Sequence, residues 1–191
     1  HRDLHSFPTR RSSDLVIDNC VFEQNYYGVY LYYADHSEVT ESTFTGNYYS
    51  IYAYYVDFGV FENNSIFGQY YGLYAYYSDN CLILNNDINN AYYGLYIRGD
   101  MTTIENNDVL KGYYGARVYY TTNSYIANNS FYGNYYGLYN YYGGMNIFFN
   151  NTVERAQYYG IYNYRSDNNE YYSNMIKDNA WPYNTELGYY G

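Results

Sequence analysis

Cations are scarce in this 191-residue chain, where nine Lys and Arg stand against nineteen Asp and Glu for a formal net charge of −10. A phosphate backbone is held by cations that displace its counterions, so nucleic acid is excluded as a partner. An anionic membrane surface is excluded on the same ground. Apolar runs are short, none approaching the roughly 18 residues of a membrane-spanning helix, and no membrane insertion is expected. Proline is nearly absent, with two residues, whereas Tyr and Phe number 38 and 9. That balance rules out a disordered chain despite its polarity. Helical periodicity is missing throughout.

Residues 1–15, His-Arg-Asp-Leu-His-Ser-Phe-Pro-Thr-Arg-Arg-Ser-Ser-Asp-Leu, resemble a translated short-read sequencing adapter, whose oligonucleotide yields all fifteen residues in this frame. They are set apart as a non-native segment. Residues 16–191 then form one domain, with both ends expected to be truncated and any export signal out of view. The segment holds three Arg, two Asp and two His, so the remainder keeps six basic residues, seventeen acidic ones and a single histidine, His36.

What the chain has in abundance is a phase. The first Tyr of a Tyr-Tyr pair recurs at Tyr26, Tyr48, Tyr70, Tyr92, Tyr113, Tyr135 and Tyr158 at intervals of 21 to 23 residues, and again at Tyr189. A sticky low-complexity polymer would show no fixed phase; a period this steady is a repeat architecture. Counting that Tyr as position 1, with one gap after Gly99, apolar residues fill four columns. They are position 4 (Val29, Ile51, Leu73), position 6 (Leu31, Ala53, Ala75), position 14 (Val39, Phe61, Ile83) and position 19 (Phe44, Ile66, Ile88). Between positions 2 and 8 the step is two residues, the periodicity of a strand with alternate side chains inward. Short strands with one apolar face must stack on their neighbours to bury it. The expected fold is therefore all-β, a single-stranded parallel β-helix (β-solenoid) of about 22 residues per coil and seven to eight coils. Asn pairs at positions 16 and 17 (Asn63-Asn64, Asn85-Asn86, Asn106-Asn107, Asn128-Asn129, Asn150-Asn151) predict an asparagine ladder at a corner, since Asn accepts left-handed backbone and bonds to its own kind above and below. Three of these pairs also create glycosylation sequons, at Asn63, Asn128 and Asn150, but Asn in all five coils favours the ladder.

The pattern Tyr-Gly-Ile/Leu-Tyr, then a turn with Asp, Ser or Asn, then an apolar residue and Asn-Asn, resembles the right-handed parallel β-helix repeats of the NosD-like and pectate-lyase-like group, the carbohydrate-binding and sugar-hydrolase repeats. The resemblance covers nearly all of residues 16–191. It implies the right-handed form of the solenoid and an extracellular, cell-surface or periplasmic location. It does not fix an activity, because the group includes lyases, hydrolases, epimerases, adhesins and an accessory protein of copper-enzyme maturation. A copper site needs clustered His, Met or Cys; with His36 alone, and Met101 and Met145 two coils apart, copper is not carried over.

If positions 4 and 6 face inward, positions 5 and 7 face outward as two aromatic stripes. Position 5 holds Tyr30, Tyr52, Tyr74, Tyr96, Tyr139 and Tyr162, and position 7 holds Tyr32, Tyr54, Tyr76, Tyr119, Tyr141 and Tyr164. Stacked like side chains stabilise adjacent coils. An exposed aromatic ribbon with hydroxyls at its tips also offers a binding surface to polysaccharide or a cell-surface protein. Arg98 and Arg117 interrupt the stripes, with Asp79 and Asp100 near them; pectate lyases resemble this in using an Arg base beside carboxylate-bound calcium. The four residues are the candidate catalytic set, against a plain reading of cation-π capping and a local ion pair. Asp35, Asp57 and Asp79 line up at position 10 as candidate calcium ligands, or simply as a turn ladder; no other cofactor is expected. Cys20 and Cys81 are too far apart for a disulfide and are expected to be packing thiols. After Asn179 the phase marker fails at Ala-Trp-Pro-Tyr-Asn-Thr-Glu-Leu-Gly, which reads as an insertion looping out around Trp181 before a fresh coil starts at Tyr189. Open coil ends of this kind are expected to self-associate. The leading function is non-catalytic binding through the Tyr face. The alternatives are a polysaccharide lyase or epimerase and a purely structural spacer.

Overall fold

The computed structural model describes residues 15–68 and 70–186. The adapter-like segment up to Asp14 and the coil start at Tyr189 lie outside the described residues. Each coil contributes three strands, as in Tyr27–Tyr32, Glu38–Thr40 and Thr43–Thr45. The strands stack into three eight-stranded sheets whose neighbours are one coil apart in sequence and parallel. The register sets Val29 on Ile51, Val39 on Phe61 and Phe44 on Ile66. Strands recur too soon for a crossover helix, and no helix occurs among the described residues.

The core is the four predicted columns. Ile51, Ala53, Phe61 and Ile66 are fully buried, as are Leu95, Ile97 and Ile104 in a central coil. Each Ile, Leu or Phe buried this way contributes about 1.5–3 kcal/mol. A three-residue strand points only its middle side chain inward, so one apolar residue per short strand suffices.

Closing the coil requires bends, and these fall at positions 8, 11, 16 and 21 with left-handed backbone: Tyr33 (φ 51°), His36 (φ 58°), Asn63 (φ 55°) and Gln24 (φ 54°) are examples. For residues with a Cβ this conformation costs about 1–2 kcal/mol each. It persists because each bend N–H still donates to the next coil, Tyr33 to the Tyr54 carbonyl at 3.1 Å and His36 to that of Asp57 at 2.8 Å. The hydrogen-bond ladder thus runs through the corners. The two Asn positions divide the labour: position 16 makes the bend, and position 17 turns inward and is buried. Asn107 is typical. Its Oδ1 accepts from the N–H and Nδ2 of Asn86, while its own Nδ2 donates to Asn129 Oδ1 and to the Ile83 carbonyl, all at 2.9–3.0 Å.

The glycine after each Tyr pair answers a packing demand. A Cβ on Gly94 would stand 2.6 Å from the Gly115 oxygen and 2.3 Å from Val109 Cγ1. Where Ser50 replaces it, the hydroxyl is buried without a partner.

Two expectations are corrected. The segment after Asn179 is no insertion: Trp181–Glu186 is a strand in the long-stranded sheet, pairing Trp181 with Tyr159 and Tyr183 with Ile161. Ladder bonds belong to the backbone, with Trp181 N–H on the Tyr158 carbonyl at 2.9 Å, so the coil continues where the Tyr-Tyr-Gly marker lapses. Cys20 is exposed rather than packed, since it belongs to the first described coil; Cys81 is the buried thiol, pushed up to about 12 by burial. Both are free.

In the last coils one core column turns polar. At position 6, Asn140 and Asn163 point inward, and the Tyr171 hydroxyl, reaching in from position 14, donates to Asn163 Oδ1 and accepts from Asn140 Nδ2. Tyr183 accepts from Asn163 Nδ2 at 3.1 Å. Tyr171→Phe is expected to cost about 1–3 kcal/mol, because two buried amides lose a partner. Adding Asn140→Leu and Asn163→Leu should recover much of that loss in urea denaturation, whereas a neutral Tyr171→Phe would show that the network contributes nothing.

Candidate functional site

The outer face of the long-stranded sheet carries the tyrosines. Positions 5 and 7 face outward as expected of a strand whose positions 4 and 6 fill the core. Their rings stack coil on coil, Tyr30 on Tyr52 at 5.2 Å, Tyr52 on Tyr74 at 5.0 Å and Tyr54 on Tyr76 at 5.6 Å. Most are half-covered by one another, and Tyr96 is only 9% exposed.

Three further columns flank these stripes, at positions 1, 2 and 8. Tyr48 stacks on Tyr70 at 5.0 Å, Tyr49 on Tyr71 at 4.6 Å and Tyr33 on Tyr55 at 4.7 Å. Edge-to-face contacts join neighbouring columns, as between Tyr49 and Tyr52 at 5.1 Å. The face is therefore a continuous aromatic sheet. Its signal in the sequence is the Tyr-Tyr pair itself, which marks the phase of the repeat without giving a direction for either ring. Each ring pair adds about 0.5–1.5 kcal/mol beyond its buried area. Burial keeps the phenols protonated: Tyr96 and Tyr136 are both pushed up to about 12, in Tyr96 against an opposing pull from Arg117.

Arg98 and Arg117 stand where rings are missing. Gly99 leaves a gap in the position-8 column, and the Arg98 guanidinium fills it, 4.0 Å from the Tyr77 centroid and 5.4 Å from that of Tyr120. Its Nη1 donates to the Tyr76 hydroxyl. Arg117 replaces a ring in the position-5 column and lies 5.1–5.9 Å from six ring centroids, Tyr96 and Tyr139 on either side among them. Burial works against its charge and the surrounding phenols favour it, with a net upward shift. Ion pairs among the described residues lie elsewhere, on Glu154 and Asp178.

The carboxylates form a turn ladder. Asp35 Oδ1 accepts the Asp57 N–H at 2.9 Å, Asp57 Oδ1 that of Asp79, Asp79 Oδ1 that of Asp100, and Asp100 Oδ1 that of Thr122. Asp79 and Asp100 are therefore engaged with backbone and not with Arg98 or Arg117. Beside the ladder runs an open groove of about 370 Å³, with Tyr33, Tyr55 and Tyr77 along one wall and Asp35, Asp57 and Asp79 along the other.

Comparison with known proteins bears on the fold. The profile of the right-handed β-helix region matches residues 71–188, and that of the periplasmic copper-binding protein NosD matches residues 6–110. No curated protein matches the chain. Among solved structures, a double mutant of the periplasmic alginate epimerase AlgG is similar at TM-score 0.64 and 19% identity, over 80% of this chain and 38% of that one. The Streptococcus pneumoniae surface protein and adhesin PfbA is similar at TM-score 0.56 and 11% identity, over 92% of this chain and 67% of that one. This chain thus spans well under half of the epimerase. Copper does not fit the residues present: among those described, no three His, Cys, Asp or Glu gather into a set that could hold a metal. Met101, Met145 and Met175 are exposed, and Cys81 is buried.

Proposed function

We infer the function from the premise that the chain belongs to the right-handed β-helix family, in which the fold is a scaffold and the outer face sets the task. The reading the geometry supports best is non-catalytic binding of an extended polysaccharide, at a cell surface or in the periplasm, along the tyrosine face. One observation carries it: the rings form an outward sheet, interrupted only where Arg98 and Arg117 stand in for rings, with hydroxyl tips at a coil-by-coil spacing, which suits stacking and hydrogen bonding to a linear ligand. The neighbouring groove adds a row of carboxylates, and the chain is acidic overall, so a neutral or cationic glycan is favoured over a polyuronate. A surface adhesin sharing the fold is in keeping with a binding role at a cell surface.

Affinity electrophoresis tests the reading. Retardation is expected in gels cast with a neutral glucan, and Tyr54→Ala or Tyr76→Ala should weaken it about two- to tenfold each, at ~0.5–1.5 kcal/mol per lost ring contact. Equal mobility with and without each glycan tried would refute glycan binding and leave the spacer. A second reading, an epimerase or lyase acting near Arg98 and Arg117, has in its favour the two cations grouped on this face. Unsaturated products absorbing in the ultraviolet, formed from acidic polysaccharides with calcium, would establish a lyase.

A further inference from the structure

The position-1 column differs from the other tyrosine columns in a way that glycan binding does not use. Its seven rings, Tyr26 to Tyr158, stack without interruption, as do those of position 2, whereas Arg117 breaks position 5, Arg98 breaks position 7 and Gly99 breaks position 8; exposure is what sets position 1 apart from position 2. Successive centroids are 5.0 Å apart for Tyr26–Tyr48 and Tyr48–Tyr70, 4.9 Å for Tyr70–Tyr92, 4.8 Å for Tyr92–Tyr113 and 4.6 Å for Tyr113–Tyr135, with planes within 11° of parallel. The column also lies at the rim of the aromatic sheet. Tyr26 is 61% exposed, and Tyr48, Tyr70 and Tyr92 are 38–40% exposed, while the position-2 rings beside them, such as Tyr49 and Tyr71, are more covered.

We propose that this column is an oxidative cross-linking site, at which a one-electron oxidant joins neighbouring coils through dityrosine bonds. With a haem peroxidase and hydrogen peroxide, two phenols each give up one electron and one proton, and the peroxide leaves as two waters. The two phenoxyl radicals carry spin on the carbons ortho to oxygen. A carbon–carbon bond forms between one ortho carbon of each ring, and the hydrogens displaced there move to the phenolic oxygens, restoring both aromatic rings. The sum is two tyrosines plus one peroxide giving one dityrosine and two waters. Stacking supplies what the coupling of two short-lived radicals lacks in solution, a partner ring already held face to face. Exposure supplies access for the oxidant and water to take the proton. The product would tie each coil to the next, as a disulfide between them would, and so resist fraying.

The test oxidises the dilute purified chain with haem peroxidase and peroxide. Blue dityrosine fluorescence should appear while the chain stays monomeric on a denaturing gel. Tryptic and chymotryptic mapping should find links between Tyr26 and Tyr48, Tyr48 and Tyr70, and Tyr70 and Tyr92. The triple variant Tyr48→Phe, Tyr92→Phe, Tyr135→Phe keeps the ring stack but leaves every remaining column phenol beside a Phe. It should lose most of the fluorescence, with circular dichroism unchanged. Tyr49→Phe, Tyr93→Phe, Tyr136→Phe removes as many phenols from the covered column and should lose little. Covalent dimers as the main product, links spread over other columns, or an equal yield from the urea-unfolded chain would overturn the proposal.

Discussion

Asn107→Ala is expected to lower the free energy of unfolding by about 3–5 kcal/mol. The side chain is fully buried, and its removal takes one partner each from the Asn86 N–H, the Asn86 amide, the Ile83 carbonyl and Asn129 Oδ1. Each buried polar group left unsatisfied costs about 1–3 kcal/mol. Its neighbour is the control. Asn106 is exposed and serves only as a left-handed bend, so Asn106→Ala should cost no more than about 1–2 kcal/mol. Urea titration of both variants checks the pair, and similar losses for the two would mean that the ladder is not the stabilising element. Because coils contact only their neighbours, a defect in the middle of the rod should also broaden the transition as the two halves uncouple.

Gly99→Ala should be more damaging still, enough to prevent the chain folding as one rod. The coil that starts at Tyr92 has 21 residues where its neighbours have 22. The shortening is absorbed at Gly99, which lies so close to the preceding coil that a Cβ would stand 1.8 Å from the Ser78 carbonyl oxygen. That oxygen is backbone within a stacked sheet, with the Ser78 N–H itself bonded to the Arg98 carbonyl at 3.3 Å. Relief therefore means separating coils. Gly68→Ala makes the comparison: its φ is +68° but open space surrounds it, so the cost should stay near 1–2 kcal/mol. Soluble expression and thermal unfolding distinguish the two. A Gly99→Ala chain as stable as Gly68→Ala would place the deletion elsewhere in the coil.

Much of the architecture is legible in the residues because a solenoid repeats its constraints. The columns at positions 4, 6, 14 and 19 must each fill the same space in every coil, so eight samples of one environment stand in a single chain. The Asn pair was legible for the same reason, though only the structure separates the bend-making Asn106 from the buried Asn107. What the residues do not reveal is whatever does not depend on side-chain type. Left-handed bends are held at Tyr33, His36, Lys111 and Arg155 by ladder bonds to the next coil, and none of these residues signals a turn. The Trp181 strand reads as an insertion in the sequence because its pairing uses backbone N–H and C=O groups, and only the 22-residue step from Tyr158 to Ala180 marks it. The tyrosine face was half seen. Alternation reveals positions 5 and 7, but carried on to positions 2 and 8 it directs those rings inward, whereas at and beyond the ends of the long strand the chain bends and they join the outer face. Arg98 and Arg117 were seen as an anomaly; their place as stand-ins for missing rings depends on distances between coils.

The winding itself is open to a direct distance measurement. Tyr132, Glu154 and Lys177 occupy the same outward register position as Thr45 in one sheet, four, five and six coils further along. In a Cys20→Ser background, spin labels on Thr45→Cys paired in turn with Tyr132→Cys, Glu154→Cys and Lys177→Cys should give electron–electron dipolar distances of roughly 19, 24 and 29 Å, one strand spacing of ~4.8 Å per added coil. Distances that fail to grow by one equal step per repeat would contradict the stacked-coil account, and with it the registered tyrosine face built upon it.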